Sequence, residues 1–181
     1  MFETTDLRLR SLQNTDFEKL VDLWNDVRVQ QMLSHDYVVP VGAKFEEMLR
    51  TSSKDALMFC IMETKDTHDW VGFICLFEAE TKNRSTKIGL GLLPEFWGRG
   101  YAKQAFTFLV DYAFREHGLH RVTLTVLESN TVARGLYNKI GFVEEGVDRK
   151  ANWADGRWQD LIRMAILEEE WAALKQATSG V

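Results

Sequence analysis

The segment Pro94-Glu95-Phe96-Trp97-Gly98-Arg99-Gly100-Tyr101-Ala102 constrains this chain more than any other. It follows a strand-like run, Lys87 to Leu93, and opens a helical one, Gly100 to Arg115. In the helical run Ala102, Ala105, Phe106, Leu109, Tyr112 and Ala113 recur on one face. The first turn of a helix leaves backbone N–H groups without internal partners, and the helix dipole adds positive charge there. Such a turn suits an anion. Small residues at Gly98, Gly100 and Ala102 let a phosphate approach the backbone, and Arg99 adds charge. A Walker-type loop needs GxxxxGK[ST], which does not occur. A dinucleotide fingerprint needs GxGxxG, and Lys103 stands where its third glycine would be, which counts against a Rossmann-type oxidoreductase. Taken alone, the segment fits a pyrophosphate cradle or a tight structural turn.

The strand ahead of it adds a second feature. Ile88, Leu90 and Leu92 alternate with Lys87, Gly89 and Gly91, so one face is apolar and the other nearly empty. Glycine inside a strand marks a close approach, by a ligand or by another part of the chain. Both alternatives stay open at this point.

Elsewhere the pattern predicts strands at Leu7 to Ser11, Leu57 to Glu63, Trp70 to Ala79 and Arg121 to Leu127. Phe142 to Arg149 and Gln159 to Leu167 read as a closing hairpin around Ala154-Asp155-Gly156. Thr15, with Glu18 three residues on, reads as the capping box of a helix through Trp24. A further helix is predicted over Ala43 to Thr51, and another from Asn130, its N-cap, to Ile140, with Gly141 as the left-handed stop. The alternation of strands and helices predicts one α/β (α+β) domain with a mixed sheet over residues 1–175 and a loose tail over 176–181.

The net charge of −5 disfavours nucleic acid as the partner. No apolar run reaches the ~20 residues of a membrane span, and no signal peptide opens the chain, so the expected location is the cytosol. Cys60 and Cys75 lie in apolar runs and read as buried, reduced thiols. No cysteine or histidine spacing suggests a metal site.

Two segments together resemble the GNAT family of N-acetyltransferases. Trp97-Gly98-Arg99-Gly100-Tyr101-Ala102 is similar to the family's [Q/R]-x-x-G-x-[G/A], with Trp97 departing at the first position. Asn130-Thr131-Val132-Ala133-Arg134-Gly135-Leu136-Tyr137-Asn138-Lys139-Ile140-Gly141-Phe142 resembles N-x-x-A-x-x-L-Y-x-x-x-G-F. The end hairpin, with Gly146, Asp155 to Asp160 and Met164, adds a third likeness, to the branch of ribosomal-protein alanine and spermidine acetyltransferases. The resemblance runs from Leu7 to about Trp171. It implies a mostly antiparallel sheet of about seven strands flanked by about four helices, splayed between 87–93 and 121–127.

It also implies acetyl-CoA as co-substrate and no metal. The pantetheine arm would lie along Leu90, Gly91 and Leu92. The pyrophosphate would sit on backbone N–H groups of Gly98 to Lys103, within the contact set Trp97, Gly98, Arg99, Gly100, Tyr101, Ala102 and Lys103. Asn130 and Lys139 would touch the cofactor, and Tyr137 would protonate the departing thiolate. Packing of Tyr137 in a core and simple capping by Asn130 are the alternatives.

No general base stands out; Glu78 and Glu80 are candidates, beside a water chain. The acceptor is a small amine, a polyamine or a protein N-terminus. Ser34-His35-Asp36-Tyr37, on the expected acceptor side, offers few carboxylates for a polyamine. Trp153 and Trp158 are candidates for an acceptor-pocket wall or a homodimer face. A non-catalytic acyl-CoA-binding sensor is the alternative to an enzyme.

Overall fold

A computed structural model describes residues 2–179 of the chain. Its seven strands hydrogen-bond in the order β1-β2-β3-β4-β5-β7-β6. They are β1 Leu7–Ser11, β2 Met58–Thr64, β3 Trp70–Glu80, β4 Ser85–Leu92, β5 Arg121–Leu127, β6 Val143–Ala154 and β7 Arg157–Leu167. The α-helices are α1 Asp16–Asn25, α2 Val27–Leu33, α3 Ala43–Asp55, α4 Tyr101–Arg115, α5 Thr131–Ile140 and α6 Glu168–Ser179. The chain forms two compact units. One holds the residues up to Glu78 with Ile88–Phe106, and the other holds Ala79–Lys87 and everything from Thr107 on.

In the first unit β1 pairs antiparallel with β2, from Leu7↔Thr64 to Ser11↔Cys60, and β2 pairs antiparallel with β3. Leu7 and Leu9 are buried while Arg8 is exposed and Arg10 half-buried, the alternation of a half-covered strand. β3 is buried continuously from Trp70 to Leu76. Phe17, Leu20 and Leu23 of α1, Val29 of α2 and Leu49 of α3 close over Ile61, Phe73 and Cys75.

Thr15 does not cap α1: it is itself helical at φ −70° and its hydroxyl makes no capping bond. Asp16, the first helical residue, turns back on the segment before it: its carboxylate accepts the Gln13 N–H at 2.8 Å. Arg10 grips the same carboxylate through two nitrogens at 2.7 and 2.8 Å and reaches Glu63 at 2.6 Å. A buried acid can be held charged only by such a set of donors.

In the second unit β4 runs parallel to β5, with Ser85↔Arg121, Thr86↔Val122 and Lys87↔Thr123 in register. Parallel neighbours need a crossover, and α4 is the helix between them in sequence. β7 pairs antiparallel with both β5 and β6. α6 packs back on this unit: Trp171 lies 5.4 Å from the Phe114 ring, and a Cβ on Gly141 would meet Leu174 Cδ1 at 2.4 Å.

Two of the six helices, α2 and α6, were not anticipated from sequence, and α3 runs on to Asp55. In the expected tail, 176–179 continue α6, and Gly180 and Val181 lie outside the described residues.

Candidate functional site

The end of β4 and the start of α4 are joined by a turn whose every step is tied down. Leu93 N–H bonds to Val71 O at 3.0 Å as the chain leaves the sheet. A single 3-10 turn over Pro94–Phe96 follows, closed by Phe96 N–H to Leu93 O and Trp97 N–H to Pro94 O. The Trp97 indole then folds back, its Nε1–H donating to Leu92 O at 3.0 Å.

Gly98 and Gly100 both have positive φ, +74° and +79°. A Cβ on either would meet nothing within 4 Å, so backbone sign rather than space is what selects glycine here. Left-handed residues in such a turn point successive N–H groups to one side, the nest geometry that suits an anion.

The first turn of α4 keeps its positive end uncompensated. Gln104 N–H finds its helical acceptor on Gly100 O at 3.2 Å, and the N–H groups ahead of it have no acceptor within the helix. No acidic residue lies in that turn, while Lys103 and Arg99 are exposed beside it. Gln104 anchors the helix start by accepting from Thr4 Oγ1 at 2.8 Å and Asp6 N–H at 3.0 Å. Diphosphate chemistry fits this combination of convergent donors, local cations and absent acids.

The glycines of β4 have a different explanation. A Cβ on Gly91 would meet Phe73 Cε1 at 2.6 Å, Leu33 Cδ1 at 3.0 Å and Leu23 Cδ2 at 3.2 Å. One on Gly89 would meet Phe77 Cε1 at 3.1 Å. The face that looks empty in sequence is filled by the chain's own aromatic and leucine side chains. Close packing, not a ligand lying on that face, therefore accounts for the glycines. A pantetheine arm along Leu90, Gly91 and Leu92 is left with the strand's backbone edge.

Leu90 through Lys103 thus belong together in the first unit, whereas Asn130, Tyr137 and Lys139 lie on α5 in the second. Asn130 Oδ1 accepts the Ala133 N–H at 3.2 Å, so the capping role is real. Gly141 ends α5 at φ +115°. Tyr137 faces Phe142, ring centroids 6.0 Å apart, and burial pushes its phenol up to about 12. Lys139 is exposed in the last turn.

Of the base candidates, Glu80 is exposed and accepts from Asn83 Nδ2 at 2.7 Å, and Glu78 is exposed at φ +48°. Cys60 and Cys75 are free and buried, with burial pushing their thiols up to about 11 and about 12. Thiols so displaced are poor nucleophiles. Among the described residues, no group of three or more His, Cys, Asp and Glu gathers in a way that could hold a metal ion. No helix there is long and apolar enough to cross a membrane. Trp153 and Trp158 pair across the β6–β7 hairpin, edge to face at 5.2 Å, and both stay more than half exposed.

The indole bond to Leu92 had no sequence signal, since the partner is a backbone carbonyl. The second unexpected anchor, Gln104, reaches residues about a hundred positions away.

Comparison with known proteins shows the family. Residues 6–143 match the family model described as acetyltransferase (GNAT) domain. The spermidine N(1)-acetyltransferase of Vibrio cholerae is 28% identical over 92% of this chain and 96% of its own length. The uncharacterized N-acetyltransferase p20 of Bacillus licheniformis is 28% identical over 93% of this chain and 97% of its own. A crystal structure of the Vibrio cholerae spermidine N-acetyltransferase in complex with CoA and spermine superposes with a TM-score of 0.84 at 27% identity. It covers 93% of this chain and 99% of that one. The chain belongs to the GNAT acetyltransferase family, N-acetyltransferases that take their acetyl group from acetyl-CoA.

Proposed function

We propose that this enzyme works in the cytoplasm, transferring acetyl from acetyl-CoA to a primary amine by direct attack. The observation that carries the donor half is the Gly98–Gly100 turn, left-handed at both glycines and opening an acid-free helix start. Backbone N–H groups of Gly98 to Lys103 hold the diphosphate, and the backbone of Leu90 to Leu92 runs beside the pantetheine. A strand N–H near Leu90 polarises the thioester carbonyl as charge develops on its oxygen.

The attacking amine must be neutral, and a lysine-like amine gives up its proton only near pH ~10 in water. Water relays that proton outward, with Glu78 or Glu80 as the carboxylate candidates. Tyr137 supplies the proton that the departing thiolate takes up, and the phenolate is reprotonated through water by the proton that the amine nitrogen loses as the amide forms. Its phenol, lifted to about 12, stays protonated throughout the neutral range and is therefore available as a donor.

The acceptor belongs to one of three classes: small amine, polyamine or protein N-terminus. The Vibrio relative was crystallised with spermine. In this chain both carboxylates flanking α2 have partners, which leaves few of them for a polyamine. Asp26 is taken up by Arg28, and Asp36 accepts the Tyr37 N–H at 2.8 Å. Tyr37, Val38 and Val39 are exposed in the same stretch. Asn25 and Gln30 hold its backbone at Val41 and Val39. The Trp153–Trp158 pair serves as an acceptor wall or as the face of a homodimer.

A thiol-release assay over a panel of amines tests this. We expect peptides with apolar N-termini to outpace spermidine. CoA binding with no release for any amine would favour a sensor and contradict the transferase mechanism.

A further inference from the structure

We infer that Trp97 is a positioning residue for acetyl-CoA, acting through Leu92: its indole clasps the end of β4 to the phosphate-binding turn and fixes the spacing between them. The inference rests on the acetyl-CoA assignment of this site.

Trp97 Nε1–H donates to Leu92 O at 3.0 Å, closing a six-residue loop, Leu92 to Trp97, over the 3-10 turn. Leu92 is the last residue of β4 and is buried; Gly98, the first left-handed residue of the turn, follows Trp97 directly. The bond therefore spans the point where the strand portion of the donor site gives way to the phosphate portion.

Trp97 is 45% exposed, so packing covers it only in part. An exposed tryptophan held by its N–H contrasts with Trp24 and Trp171, whose buried indole nitrogens find no partner. An indole nitrogen is a donor only, and among the described residues Leu92 O is its acceptor.

A CoA molecule touches both parts at once, its pantetheine beside the strand and its diphosphate on the turn. Each part can bind its own fragment without the clasp. Only a ligand that bridges them benefits from a preset spacing, because a fixed spacing removes the ordering cost of binding the second part. The clasp also explains the departure from the family pattern at this position: glutamine and arginine, the family's residues, are donors of comparable reach.

The test is a titration of wild type, Trp97→Phe and Trp97→Gln with two ligands, CoA and ADP, where ADP carries the diphosphate but no pantetheine. Trp97→Phe keeps the ring and loses the donor. We expect CoA to bind it about three- to tenfold more weakly, the size of one lost hydrogen bond, with ADP affinity unchanged. The KM for acetyl-CoA rises with it while kcat at saturation holds. Trp97→Gln restores CoA affinity. Unchanged CoA affinity in Trp97→Phe, equal weakening of CoA and ADP, or no recovery in Trp97→Gln would each overturn the clasp. Wild type that binds neither ligand would overturn the acetyl-CoA assignment itself, and the clasp with it.

Discussion

Tyr137 and the Arg10–Asp16 pair show how differently one side chain can be made to matter. Tyr137→Phe removes a proton donor while keeping the ring against Phe142, so turnover should fall at least about tenfold, with acetyl-CoA affinity little changed. Unchanged turnover at every pH would remove the phenol from the mechanism. With its phenol near 12, Tyr137 contributes no alkaline fall below that range. Rate should instead climb with pH as the amine loses its proton.

Asp16 contributes to stability. Its carboxyl faces burial, which alone would raise it, but the Arg10 and Gln13 bonds hold it below the usual range. A depressed folded-state value means the stabilisation is present above the unfolded value, ~3.9, and drains away as pH falls below it. Asp16→Asn should cost about 2–4 kcal/mol at pH 7, read from denaturant midpoints, and should blunt acid sensitivity below about pH 4.

At the scale of elements, β4 and its turn use glycine for two separate reasons, and substitutions separate them. Gly91→Ala drives a methyl into Phe73, which is itself stacked on Phe59 at 5.3 Å, so the ring has little room to yield. It should destabilise the fold by about 1–3 kcal/mol, read from denaturant midpoints. Gly100→Ala meets no protein atom but forces a side chain onto φ +79°. It should cost about 1–2 kcal/mol and weaken CoA binding as the turn relaxes.

The turn and α5 were legible from residues 97–102 and 130–142, because glycine turns and helix caps are local. The filling of the glycine face was not, since Leu23, Leu33 and Phe73 arrive from distant segments. α2 is a seven-residue helix, too short for a period to show. α6 follows β7 with no turn residue between them. Its three leading glutamates, of which Glu170 accepts the Leu167 N–H at 2.9 Å, are the sequence signal of its start. Thr15 fails as a cap because it is itself helical at φ −70° and ψ −13°, where an N-cap residue is extended.

For the whole molecule, the donor side and the acceptor side differ in how much chemistry they display. Trp153 and Trp158, exposed on the hairpin that carries the sheet's outer strand, offer apolar area to a second copy. If they form the dimer face, sedimentation should find wild type dimeric and Trp153→Ala with Trp158→Ala monomeric; a double variant that sediments like wild type would exclude that role. The donor side rests on one physical claim, that the Gly98 to Lys103 backbone binds a diphosphate. Calorimetric titration with acetyl-CoA and with S-acetylpantetheine, which shares the thioester arm but has no diphosphate, tests it most directly. A diphosphate held by this turn predicts acetylpantetheine binding weaker by about a hundredfold or more, at roughly 1.4 kcal/mol per factor of ten. Equal affinity for the two would contradict it.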